Sequence, residues 1–259
     1  MSDWLHNLPI VWMALLVFGL TALATAAIYL VVMALSVGDR ARSFKAVSPG
    51  MLPPLGVLFA LFVVFAASQV WTDNEKAGSV VDREASELSG VAVRASAFPG
   101  EPETRLRGLI RSYVTDAVAQ EWPMMARGTA TLEALQLTLA LTPSSQGQKI
   151  AQHEITTALE NALDARRQRI IISHSEVNWV KWSCLCLLAA CSLIAIAMVH
   201  SDNPLASAIT LGLFGIGVAA SLLLILAHDR PFTGELAVSP NPLLQMMPEL
   251  ESSQQGIKP

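Results

Sequence analysis

The sequence predicts an all-α, polytopic membrane protein: four transmembrane helices, with a helical soluble domain inserted between the second and the third. Three observations predict it. The chain is 53% hydrophobic and 15% charged, with a mean hydropathy of +0.47, on the membrane side of ordinary globular composition. Nearly all of its charge lies between Thr72 and Glu176, in the short stretch Gly38 to Lys45 and in the C-terminal tail. Nowhere does it show the two-residue alternation, bounded by turns, that marks strands.

A hydrocarbon core about 30 Å thick takes roughly 20 apolar residues of helix to cross. Four segments meet that length: Pro9 to Val37, Leu52 to Trp71, Trp179 to Val199 and Pro204 to Ala227. The second opens on Pro53 and Pro54, where missing amide donors cost little because first-turn amides have no intrahelical acceptor. Trp4, Trp12, Trp71, Trp179 and Trp182 stand near the span ends, as aromatic belts do. The N-terminus has no basic leader, so the first segment reads as a retained span.

The expected organisation is therefore residues 1–71 for spans one and two, 72–176 for the soluble domain, 177–230 for spans three and four, and 231–259 for a partly disordered tail. Within the domain, Ala77, Val81, Ala85, Leu88 and Ala92 recur at helical spacing, so span two continues outward as one amphipathic helix. Pro99, Gly100 and Pro102 end it. A second helix carries Leu106, Ile110 and Tyr113 and stops at Trp122 and Pro123; a third carries Leu132, Leu135 and Leu139; a fourth runs through Ile155, Leu159, Ala162 and Ile170. That last run is expected to extend span three as a second stem. Residues 200–203 leave room only for a hairpin between spans three and four, which puts the domain and both termini on one membrane face.

The side of that face stays open. Arg40, Arg42 and Lys45 in the first short loop place that loop in the cytoplasm by the positive-inside rule, and so the domain outside. Lys76, Arg83, Arg166, Arg167, Arg169, Lys181 and Arg230, flanking spans on the domain face, point the other way.

Composition also excludes classes. A net charge of -4 with no basic run offers nucleic acid no electrostatic footprint. Cys184, Cys186 and Cys191 lie in one apolar run and form no secreted disulfide framework. The five histidines, His6, His153, His174, His200 and His228, are scattered, and no metal, cofactor or catalytic motif is present. No enzyme activity is expected.

Four groups of residues are candidates for function. Phe59, Phe62 and Phe65, with Gln69 beyond them, form a row on span two: as a ring in an oligomer they would line a hydrophobic constriction, and otherwise they face lipid or the core. Ala208, Gly212, Gly215 and Ala219 form a small-residue stripe on span four, suited to close packing within the bundle or between subunits. Asp229 and Arg230 stand where span four ends, as an interfacial anchor or a charged mouth. Glu84 and Arg166 are a candidate ion pair inside the domain, more in keeping with a structural clamp than with chemistry.

These segments carry a resemblance. Asp82-Arg83-Glu84-Ala85-Ser86-Glu87-Leu88, Tyr113 followed by Glu121-Trp122-Pro123-Met124-Met125-Ala126-Arg127-Gly128, Asp164-Ala165-Arg166-Arg167, and Asp229-Arg230-Pro231-Phe232-Thr233-Gly234 with Ser239-Pro240 resemble the bestrophin-like family of bacterial membrane proteins. The resemblance implies four spans in a bacterial inner membrane, a homo-oligomer, a second span lining a pore, and small anions as the permeating species. By analogy with bestrophins it places the domain in the cytoplasm. It implies no calcium gating, since the acidic cluster bestrophins use after span four is missing, and the loop Ser43 to Gly50 departs from the polar pattern of the family.

Overall fold

The computed structural model describes residues 8–36, 44, 49–122, 130–175 and 177–246. Among these residues the structure is all helical, with eight α-helices. The chain divides into two compact units, residues 1–72 with 176–237 and residues 73–175 with 238–259.

The first unit contains α1 (Ile10–Leu35), the beginning of α2 (Leu52–Arg94), α6 (Trp179–Val199) and α7 (Pro204–His228). All four are long and apolar enough to cross a membrane. Local sequence sets their starts. Asn178 accepts the Val180 amide at 3.1 Å and Asn203 accepts the Ala206 amide at 3.1 Å, so each caps orphan donors at a helix N-terminus. Pro204 then occupies the first turn of α7, where its fixed φ favours the helix.

Three apolar clusters hold this unit. Met13 and Val17 of α1 pack on Ala219 and Leu226 of α7. Val32 packs with Leu193, Ala197 and Leu211. Phe59, Ala66, Ala67 and Val70 of α2 meet Val177, Leu185 and Ala189 of α6 and its approach, and Val218 and Ile225 of α7. The outward surface is as apolar as the core: Val11, Leu15, Leu23 and Leu30 of α1 and Leu205, Ile209 and Leu213 of α7 are exposed. That pattern suits lipid as the surrounding solvent.

The second unit contains the rest of α2, α3 (Glu101–Asp116), α4 (Ala130–Ala140), α5 (Gln146–Ser173) and the short α8 (Asn241–Gln245). The expected continuation of span two is present, since α2 is one helix to Arg94. Gly100, at φ 98°, turns the chain into α3 in a conformation that favours glycine. Ser145 accepts the Gln148 amide at 3.2 Å to start α5, and Gln152 donates to the Thr138 and Leu141 carbonyls at 2.8 and 2.9 Å, closing the end of α4.

The expectation of a second unbroken stem fails. The α5 helix ends at Ser173 and α6 begins at Trp179. The Val177 amide goes to a side chain outside its own helix and Asn178 caps a new one, so the hydrogen-bond ladder cannot run through. Arg40, Arg42, Lys45, Trp4 and residues 123–128 lie outside the described residues.

Candidate functional site

In the second unit, the inward face of α2 is built from Ala77, Val80, Val81, Leu88, Val91 and Ala92, and Glu84 lies in the middle of it, fully buried. A carboxylate there is tolerable only if paired. The described partner is Arg169 of α5, whose Nε donates to Glu84 Oε2 at 2.9 Å and whose Nη2 donates to Oε1 at 3.2 Å. Both side chains are 0% exposed, and the two parallel bonds make the strong, planar form of the pair. Tyr113 of α3 donates its hydroxyl to Glu84 Oε1. Three helices thus meet on one carboxylate.

Aromatic rings complete the cluster. The Arg169 guanidinium lies 5.0 Å from the Trp122 ring centroid, and that of Arg166 lies 5.9 Å from the Tyr113 ring centroid, both within cation–π range. Tyr113 and Trp122 are nine residues apart, about two and a half turns of α-helix, which would set them on opposite faces. The π-helical segment Ala117–Glu121 between them widens the turn and swings Trp122 back towards the arginines. Burial is the first cause that pushes the Tyr113 phenol well above its ordinary pKa, with the Glu84 charge adding to it and the two arginines opposing. The phenol therefore stays a donor.

Arg166, named with Glu84 from the sequence, reaches the cluster beside Tyr113, while the bidentate position belongs to Arg169. Along the α2–α5 contact, Arg83 donates to Gln168 at 2.7 Å, Asn161 to Glu87 at 3.1 Å and Arg94 to Glu154 at 2.6 Å. The order of these pairs sets the two helices antiparallel.

In the first unit the phenylalanine row divides. Phe59 is buried, its ring centroid 5.7 Å from that of Phe214. Phe62 and Phe65, 38% and 64% exposed, remain on the outer face with Val57, Leu61 and Val64. Three-residue steps fall short of a 3.6-residue turn, so the row drifts around the helix. Gln69 accepts a hydrogen bond from Lys181 Nζ of α6.

The small-residue stripe on α7 faces α1. Gly215 and Ala219 are buried there, and a Cβ on Gly215 would lie 2.9 Å from Thr25 Oγ1. Ala208 and Gly212 border an open groove of about 370 Å³ whose other wall includes Phe18, Ala22 and Tyr29.

The segment after α7 folds back on the helix starts. Asp229 is buried and accepts the Val177 amide at 2.7 Å. Glu235 accepts the Ile10 amide, the first of α1, at 3.1 Å. Glu235 thus sits at a helix N-terminus, where the dipole and the orphan amides favour an anion, while Asp229 holds the residue just before the α6 cap Asn178. Gly234, at φ 92°, makes the intervening turn. Neither the Val177 nor the Ile10 contact was readable from the sequence, because both join residues far apart in the chain.

Among the described residues no group of three His, Cys, Asp or Glu is placed to hold a metal ion. No curated protein and no solved structure matches the chain. The model of the Bestrophin-like domain matches residues 9–243, a stretch that takes in all four spans, the Glu84 cluster and the Asp229–Glu235 turn, and the chain belongs to the bestrophin-like family.

Proposed function

We propose that the chain is the subunit of a homo-oligomeric, non-enzymatic channel of the bacterial inner membrane that passes small anions along a path lined by α2. The observation that carries the reading is the outer face of α2, where Phe62 and Phe65 stand exposed in an apolar row that ends at the Gln69–Lys181 contact. Rings contributed by several copies make a constriction that gates by dewetting, and the ammonium of Lys181 beside it favours anions over cations. Residues 52–71 contain no Asp, Glu, Lys or Arg, which argues against a charge-coupled carrier. Family membership supports the same reading.

A second reading makes the chain a non-conducting anchor whose helical domain binds a protein. It is favoured by Val93, Leu139 and Ile150, all exposed at the end of the domain where Gln148 donates to the Ala97 carbonyl and Gln152 to that of Leu141.

The purified protein in liposomes separates the two. A channel gives an anion-dependent flux that Phe62→Ala alters several-fold. An oligomer that is well folded and passes no ion sinks the channel and leaves the anchor.

A further inference from the structure

We infer that the outward face of α2 between Glu75 and Ser86 is a contact between copies of this chain, in which the acidic edge of one helix pairs with the basic edge of the next. The inference rests on the homo-oligomer proposed above and names a surface that joins it. Six residues of this stretch are exposed: Glu75, Lys76, Ser79, Asp82, Arg83 and Ser86. The opposite face, with Ala77, Val80, Val81 and Glu84, is buried.

The six repeat every seven residues, Glu75 with Asp82, Lys76 with Arg83 and Ser79 with Ser86. Seven residues fall about 20° short of two helical turns, so each pair forms a row nearly parallel to the axis. At about 100° per residue, the two acids lie about 40–60° to one side of Ser79 and the two bases about 40–60° to the other. The signs are thus sorted to opposite edges, with short hydroxyl side chains between them.

A helix face that is only solvated gains from opposite charges three or four residues apart. Neither Glu75 nor Asp82 has a lysine or arginine at either spacing. Arg83 donates through Nη2 to Gln168 at 2.7 Å, and a guanidinium has five N–H donors, so it can hold a carboxylate as well. Copies inserted alike in a membrane are related by rotation about the membrane normal, which closes them into a ring or a dimer and leaves every residue at its own depth. That rotation turns the acidic edge of one α2 towards the basic edge of its neighbour. Glu75 then stands beside Lys76, and Asp82 beside Arg83, one residue of rise apart, about 1.5 Å. Antiparallel copies would set acid against acid. The pattern therefore fits a second copy of the chain running in parallel. Exposed pairs add little affinity each; what they fix is the register and the edge that each neighbour meets.

The test uses the full chain in mild detergent. Carbodiimide joins a carboxylate to an amine only where the two touch, and it is expected to give covalent multimers on a denaturing gel. Lys76→Arg, which keeps the charge and removes the amine, should lower their yield several-fold. Reversing one edge with Glu75→Lys and Asp82→Lys should lower the oligomeric fraction several-fold at low salt, and adding Lys76→Glu and Arg83→Glu to the same chain should restore it. Salt should act with opposite signs, weakening association of the unsubstituted chain and strengthening that of the one-edge variant, because it screens attraction in the first and repulsion in the second. An oligomer whose covalent multimers do not depend on Lys76, or which one-edge reversal leaves intact, overturns this contact and leaves the homo-oligomer standing. So does a folded four-site variant that stays dissociated. A single chain by mass removes the homo-oligomer and the contact with it. Where the reversed variants misfold, the carbodiimide comparison of the unsubstituted and Lys76→Arg chains decides alone.

Discussion

Replacing Glu84 by Ala leaves the Arg169 guanidinium in a fully buried site without the carboxylate that now holds two of its N–H groups. Losing one partner of a buried pair costs about 3–5 kcal/mol, to be read as a lower midpoint in denaturant by helical circular dichroism. Replacing both members with apolar residues, Glu84→Leu with Arg169→Met, is expected to recover most of that loss, because the desolvation cost disappears along with the attraction. Tyr113 provides a pH readout. Its proton is held more tightly in the folded state than in the unfolded one, so the stability it contributes is complete below about pH 10, the unfolded value, and is lost as pH rises above that. In a Tyr29→Phe background, phenolate absorbance should appear only well above pH 10, accompanying unfolding. Glu84 was legible in the sequence, since a carboxylate in the stripe of Val81, Ala85 and Leu88 requires a cation. The choice between Arg166 and Arg169 was not, because residues three apart share one helix face. Phe59 was misleading for a related reason: which of three aromatics turns inward depends on where α7 places Phe214.

Two elements are set by close approach. α1 and α7 meet where Gly215 faces Thr25, and Gly215→Val is expected to cost about 1–3 kcal/mol, the usual penalty for overpacking. Combining it with Thr25→Ala should return part of that, seen as a recovered melting temperature in detergent. The start of α6 depends on Asp229. Asp229→Ala leaves the buried Val177 amide without its acceptor, at about 1–3 kcal/mol, and amide exchange should rise first around Val177. The ends of α6 followed from the sequence to the residue, because the apolar run and the turn at residues 200–203 both speak locally. The break between α5 and α6 did not. Helical periodicity runs through Ile170 into the span, and the interruption comes from Asp229, which lies 52 positions away.

For the whole molecule, membrane residence was the easiest property to read, since composition and four apolar runs determine it without any tertiary contact. The orientation divides the charge counts, and reporter fusions resolve it: one at the C-terminus and one within residues 40–45 should give opposite signals across four spans. Function was least legible, because in the proposed channel the outer face of α2 acquires meaning only beside another copy. Mass measurement in detergent should give a multiple of 27.8 kDa if the channel reading holds, and a single chain would count against it.

The two carboxylates after α7 also bear on the order in which the molecule is made. Ile10 leaves the ribosome 225 residues before the Glu235 that receives its amide, and Val177 precedes Asp229 by 52. Spans one and three therefore enter the bilayer with their leading ends unfastened. Only the stretch translated after span four supplies the groups that fasten them. A released chain truncated just after His228 would carry all four helices and neither clasp, so its proteolysis should cut near Leu8 and Val177, sites that are spared in a chain extending past Glu235.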